Sequence, residues 1–209
     1  MDDPKPEGAA PPPPPDAKPA AAPKPPAAAA KPAAPPKPPA VMVTTPWEDE
    51  LTAALKAEFG DEIPEFSTYL GQNFLVSKPG AAVSILSFLK SECGFDYLVD
   101  VTAAHWPKRD APFDLIYIVY SFSRNLRIRI KTLLKEGERA PSAVPVHVTA
   151  DWLEREVFDM FGIEFTGHPG LKRILMPDEW QGHPLRKDYD ILTMDQHWVK
   201  ENLGIESAQ

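Results

Sequence analysis

From residue 45 onward the apolar positions alternate between helical and strand-like periods. Thr45-Pro46-Trp47-Glu48 predicts a helix start, with Thr45 as cap, Pro46 in the first turn and Glu48 closing a capping box. Trp47, Leu51, Leu55 and Phe59 then recur every four residues, and Gly60 supplies a stop. Residues 63–77 predict two short strands, 63–70 and 73–77, around a tight turn at Gly71-Gln72. A second helix opens at Pro79, carries Val83, Leu86, Phe88 and Leu89, and ends at Gly94.

Three strand-like runs follow, at 95–101, 113–121 and 126–133. The middle one is apolar on both faces, which suits a central position. The last alternates strictly and sets Arg127, Arg129 and Lys131 on one face. The short link from Ser121 to Asn125 predicts that these two pair antiparallel. After a loop at 137–145, Asp151 and Glu154 are expected to cap a helix that runs to about Phe161 and stops at Gly162. Beyond Gly162 the glycines and prolines at 167, 169, 170, 177, 182 and 184 interrupt any long period. The order predicts an α+β fold: a two-layer domain with helices on one face of a mixed sheet, followed by an irregular C-terminal extension. The expected boundaries are an arm at 1–45, the α+β domain at 46–165 and the extension at 166–209.

Composition changes the picture at the N-terminal end. Residues 1–40 hold 16 of the 26 prolines, 13 alanines, five lysines and four acids, with no aromatic or large aliphatic residue after Met1. Such a Pro/Ala-rich stretch has nothing to bury against the entropy of ordering it, and it is expected to be a disordered, semi-stiff arm. Its start, Met1-Asp2-Asp3-Pro4-Lys5-Pro6-Glu7, fits neither a signal peptide nor a transit peptide. The remainder carries 17 Lys or Arg against 26 Asp or Glu, a formal charge of −9. That acidic balance disfavours a nucleic-acid binder, whose affinity rests on phosphate neutralisation. A single cysteine, Cys93, excludes internal disulfides and cysteine-rich metal or cluster sites.

Candidate chemistry concentrates in residues 152–191. A metal site would draw on His168, His183 and a carboxylate, but each His lies in a Gly-His-Pro turn with no second ligand at a regular spacing. A turn histidine capping a backbone carbonyl is the favoured reading. Glu154 and Glu156 stand two apart on a helix, about 200° around it, and cannot converge on one substrate. Arg155 and Asp159, at i and i+4, suit a helix-face ion pair. Nucleophile elbow, phosphate-binding glycine loop and dinucleotide fingerprint are all missing from the sequence. A long aperiodic segment dense in Arg, acids and aromatics fits a docking surface, ordered by its partner, better than an active site.

These residues also carry a resemblance. Glu154-Arg155-Glu156-Val157-Phe158-Asp159-Met160-Phe161-Gly162-Ile163, then Gly167-His168-Pro169, Arg173-Ile174-Leu175 and Gly182-His183-Pro184-Leu185-Arg186-Lys187-Asp188-Tyr189, resemble the signature of the C subunit of bacterial respiratory NADH:quinone oxidoreductase (complex I). Related subunits of membrane-bound hydrogenases belong to the same family, and the equivalent subunit of such a hydrogenase is the alternative within the class. The likeness covers roughly residues 60–191. It implies a non-catalytic, structural part of the hydrophilic arm, packed on the D subunit that helps form the quinone site. It implies no cofactor or metal on this chain, with FMN, iron–sulfur clusters and quinone on partner subunits. It also implies a peripheral place on the cytoplasmic side of the bacterial inner membrane, in a complex that couples electron transfer to proton translocation. Carried over by position, the expected docking residues are Glu154, Arg155, Glu156, Asp159, His168, Arg173, Arg186, Lys187 and Asp188, with Phe161, Leu185 and Tyr189 as apolar anchors. Reversing Arg186 and Lys187 to Glu is expected to spare the isolated domain and block assembly. A stand-alone histidine-metal hydrolase and an adaptor with a proline-rich ligand arm are the competitors from other classes.

Overall fold

A computed structural model describes residues 43–190, 194 and 196–204. The Pro/Ala-rich arm therefore lies outside the described residues. The first element is strand β1 (Thr45–Pro46), which pairs antiparallel with β2 (Glu65–Tyr69). This corrects the expected helix start at Thr45: the backbone of 45–47 bonds along the sheet, with the Trp47 N–H donating to the Phe66 carbonyl at 3.1 Å. Helix α1 (Glu50–Phe59) begins five residues later, capped by Asp49. The Asp49 carboxylate accepts the Thr52 N–H at 2.8 Å, and the Thr52 hydroxyl accepts the Asp49 N–H at 2.9 Å, a reciprocal capping box. A 3-10 turn (Gly60–Glu62) leads into β2.

β2 and β3 (Gln72–Ser77) form a hairpin whose two loop residues are Leu70 and Gly71, one position earlier than expected. Both have positive φ, 49° and 72°, the left-handed pair that matches the twist of a two-residue hairpin. Helix α2 (Ala82–Ser91) follows, then β4 (Tyr97–His105), β5 (Phe113–Ser121) and β6 (Leu126–Leu134). The sheet order is β1-β2-β3-β6-β5-β4. β3 and β6 are parallel, while the other neighbours are antiparallel, so the sheet is mixed.

One face of the sheet carries the core. Leu51 and Leu55 of α1, Ile85, Leu86 and Leu89 of α2, and Val157 and Met160 of α3 (Ala150–Phe161) cluster with Leu75, Val101, Leu115, Tyr117, Ile128 and Ile130 of the strands. Each fully buried Leu or Ile contributes roughly 1.5–3 kcal/mol. The opposite face carries Phe74, Asp114, Ile116, Ile118, Arg127, Arg129 and Lys131, as the alternation of β6 predicts. The two-layer arrangement with helices on one face is thus observed.

The stretch expected as a plain loop at 137–145 contains β7 (Ala140–Pro141), which pairs parallel with β8 (Phe165–Thr166). Two-residue strands have no period to read. Helix α4 (Gln196–Leu203) likewise stands in the tail that sequence periodicity left irregular. Among the described residues no helix is long and apolar enough to cross a membrane.

Candidate functional site

Helix α3 organises the region that sequence analysis singled out. It starts at Ala150 with Thr149 at the cap position making no side-chain bond, so Asp151, expected as the cap, lies within the first turn, and Glu154, expected to support it, is fully buried. One Glu154 oxygen accepts the Ser142 hydroxyl at 2.7 Å and the other accepts the Ala143 N–H at 2.6 Å. Burial pushes its carboxyl above the usual glutamate range, against the pull of those two donors. Glu154 thereby fastens the 140–143 segment to the helix. Glu156 points to solvent on the other side, so the two carboxylates diverge as the 200° argument requires.

Further along the helix, Asp159 is also fully buried and anchors residues 173–176. One carboxylate oxygen accepts the N–H groups of Ile174, Leu175 and Met176 at 3.0, 2.8 and 2.9 Å; the other accepts Arg173 Nη1 at 2.7 Å. Burial alone would raise this carboxyl. The three N–H donors and the guanidinium outweigh burial and hold it below the usual aspartate range. The expected Arg155–Asp159 ion pair is not formed. Arg155 instead donates to the carbonyls of Lys172 and Arg173, both at 3.2 Å, and its guanidinium lies over the Trp152 ring.

The segment 162–190 is therefore a strap laid over α3 and the sheet edge. Gly162 starts it with φ 77°, and the His183 ring packs so close that a Cβ on Gly162 would meet Nε2 at 2.5 Å. His183 Nδ1 bonds the Asp159 carbonyl at 2.9 Å. His168 Nε2 bonds the Asp151 carbonyl at 3.1 Å, and its Nδ1 accepts the Gly170 N–H at 3.0 Å. Both histidines thus cap carbonyls in Gly-His-Pro turns, the role that their spacing favoured. No group of three or more His, Cys, Asp or Glu is placed to hold a metal ion among the described residues.

Arg186 closes the strap onto the body. Its Nε donates to the Phe161 carbonyl at 2.7 Å, Nη2 meets Glu136 at 2.9 Å, and the guanidinium lies 5.0 Å from the Phe113 ring centre. The next amide, of Lys187, donates to Nδ1 of buried His105 at 3.0 Å, and the Asp188 carboxylate stands 3.6 Å from that nitrogen. Tyr189 packs against Gly182 and its hydroxyl donates to the Met194 sulfur at 3.0 Å.

The residues expected to dock a partner thus fall into two groups. Glu154, Asp159 and Phe161 are buried, and Arg155, His168, Arg173, Arg186 and Tyr189 turn polar groups inward. Glu156, Leu185, Lys187 and Asp188 face outward. Sequence reasoning missed Trp106, Trp152 and Leu175, which are 50, 66 and 57% exposed, beside Leu185 at 52%. Trp106, Leu185, Phe161 and Lys187 line a cleft of about 360 Å³ at the end of β4. Trp106 stands between the end of β4 and Pro107, and an aromatic left just past a strand was the available signal.

The comparisons with known proteins agree with this anatomy. Residues 75–194 match the family model described as the respiratory-chain NADH dehydrogenase, 30 Kd subunit. The C subunit of the NADH-quinone oxidoreductase of Rhizobium johnstonii is 42% identical over 142 residues, covering 67% of this chain and 71% of the relative. Its counterpart in Cereibacter sphaeroides is 44% identical over 142 residues, with the same coverage. Among solved structures, a chain of the membrane-bound sulfane sulfur reductase, an archaeal respiratory membrane complex, superposes with a TM-score of 0.61 at 22% identity. It covers 75% of this chain and 91% of its own, a likeness that concerns the fold alone. The matched span begins within β3 and runs through the strap, taking in β4, β5, β6, α3 and every residue that fastens the strap, and on that ground the chain belongs to the family of NADH-quinone oxidoreductase C subunits.

Proposed function

We propose that the chain is a non-catalytic structural subunit in the hydrophilic arm of NADH:quinone oxidoreductase, docked on the D subunit through the strap and the cleft beside it. The observation that carries this reading is the mismatch on the strap's outer side. The arginines of α3 and the strap are satisfied within the chain, while Leu175 and Leu185 of the strap, Trp152 of α3 and Trp106 beside β4 remain half exposed or more. Large aromatic and aliphatic side chains beside a cleft are the anchors that protein interfaces use. Family membership supplies the kind of assembly. Electrons from NADH then pass through FMN and iron–sulfur clusters to quinone on partner subunits, coupled to proton translocation. The lone cysteine supports this division, since a cluster normally needs about four thiolates. The chain sits peripherally on the cytoplasmic side of the bacterial inner membrane, held there by its partners.

The test is to recover the tagged full chain from detergent-solubilised membranes, identify what accompanies it and assay NADH:quinone activity in the eluate. Recovery with the D subunit, flavin and activity is expected. A chain recovered alone, from membranes whose NADH:quinone oxidoreductase is intact, would overturn the reading.

A further inference from the structure

The face of the sheet opposite the helices carries none of α1, α2 and α3, and the side chains of two of its arginines have no carboxylate partner there. Arg127, Arg129 and Lys131 of β6 point into it, on the same side as Phe74, Ile116 and Ile118. Its one well-engaged carboxylate, Asp114, already serves Lys131 at 3.5 Å, Trp106 Nε1 at 3.2 Å and Arg109. Asp100 of β4, opposite Ile118, and Glu65 of β2, which accepts the Ser67 hydroxyl, also face this side, and neither forms an ion pair among the described residues. The side chains of Arg127 and Arg129 have no hydrogen-bond or ion-pair partner among the described residues, and the Arg129 Nε is buried without an acceptor. A buried guanidinium nitrogen left unpaired is unusual, because arginine holds five fixed donors that are ordinarily satisfied. Two hollows open on this face and share Arg129. One, of about 270 Å³, lies at the hairpin ends beside Asn73, Tyr120 and Arg127; the other, of about 150 Å³, lies over Phe74 and Ile116.

We propose that this open face docks an extended acidic segment of a neighbouring subunit, whose carboxylates meet Arg127 and Arg129. The inference rests on the chain being part of a larger assembly, as proposed above, but uses a face remote in sequence from the strap. Positions two apart on a strand stand about 7 Å apart on one side. A second extended chain with acids at alternate positions has the same repeat, so each guanidinium can take one carboxylate in the forked geometry that arginine favours. Aliphatic Ile116 and Ile118 floor the site between the charged rows, which suits a protein segment better than a polyphosphate.

The experiment compares the purified full chain with the same chain inside the detergent-solubilised complex, using an arginine-selective dicarbonyl reagent and mass spectrometry. Arg127, exposed in the free chain, is expected to be labelled at least tenfold more slowly in the complex. In parallel, Arg127→Lys and Arg129→Lys variants are assembled and treated with a water-soluble carbodiimide, which joins lysines to adjacent carboxylates. Links from residue 127 or 129 to an Asp or Glu of another subunit are expected. Equal labelling of Arg127 in both states, in a complex that demonstrably contains the chain, would overturn this inference and leave the subunit reading standing. Links only to this chain's own acids, or protection abolished by nuclease or delipidation, would also overturn it. A chain missing from the complex would overturn both.

Discussion

The body (residues 45–161) and the strap (162–190) are ordered by different physics. In the body, side chains such as Leu55, Leu75, Ile85, Leu115 and Ile130 are fully removed from water and the strands bond to one another. The strap has only the two-residue β8 and little core of its own. It is held by a few polar side chains of α3 and by its own arginines and histidines, which reach back to backbone carbonyls. The comparison teaches that an aperiodic segment with only Ile163 and Phe165 in the core can be fixed when one buried carboxylate gathers several backbone donors. It also predicts that the two regions fail differently: the body all at once, the strap locally.

The sharpest break in that comparison is Asp159→Ala. It leaves Arg173 without its buried anion and three amides without an acceptor, and losing one partner of a buried pair costs about 3–5 kcal/mol. Fast hydrogen exchange at Ile174, Leu175 and Met176, with the β5 and β6 amides still protected, is the expected outcome. Uniform loss of protection would mean that the strap and the body are one cooperative unit. The body's counterpart is Leu115→Ala, which opens a cavity on the fully buried side of β5. It is expected to cost about 2–5 kcal/mol and to lower the denaturation midpoint seen by every probe together.

Gly162→Ala tests the join between the two regions. The substitution forces a side chain into φ 77° and drives a Cβ into the His183 ring. A residue held in a strained region costs on the order of 1–3 kcal/mol. The Gly162→Ala chain is expected to shed the strap at its first turn, read as cleavage between 163 and 185 by a protease that spares the parent. An unchanged digestion pattern would show that His183 can yield.

How much of this was legible beforehand follows the same division. Sheet, helices and stop signals could be read because burial in the body repeats every two or every 3.6 residues, as in 126–134 or in Leu51 and Leu55. Thr45-Pro46-Trp47-Glu48 misled because the motif fits a helix cap locally, and only the pairing with Ser67 and Thr68 turns it into a strand. For the strap, the residues that make its contacts stood out by type, yet their partners did not. Asp159 bonds residues 14 to 17 positions away and Arg186 bonds one 25 positions away. Such contacts leave no period, so residues that hold the strap inward could not be told from residues that face out.

Glu154→Gln sharpens the contrast between the two buried carboxylates of α3. Asp159, with its depressed pKa, stabilises the fold above the ordinary aspartate range, and that contribution is lost as pH falls through the depressed value. Glu154 has the opposite sign. Its raised pKa favours the fold below the ordinary glutamate range, and that advantage is lost as pH rises through the raised value. The amide keeps an oxygen for the Ala143 N–H, so the change near neutrality is expected to stay within about 1 kcal/mol. Stability of the variant relative to the parent is expected to improve as pH rises from mildly acid to neutral, measured by urea denaturation at several pH values. A difference independent of pH would show that Glu154 stays in one protonation state over that range.

The smallest effect on the isolated chain separates folding from docking. The charge reversal first expected to do this, at Arg186 and Lys187, no longer serves, because Arg186 holds the strap through Phe161, Glu136 and Phe113. Leu185 serves better. Its N–H donates to the Met160 carbonyl at 3.1 Å, a bond that any side chain retains, while the side chain itself stands half exposed at the cleft. Leu185→Ser is therefore expected to alter the stability of the free chain by no more than about 0.5 kcal/mol. An anchor that fills a partner's pocket carries about 2 kcal/mol or more of binding, so the same change should lower the chain's recovery in the complex by tenfold or more. Thermal melts of the free chain and quantitative recovery from solubilised membranes check the two halves. If stability and recovery are both unchanged, the cleft beside Trp106 is not where the partner sits, and docking moves to the Trp152 side of α3.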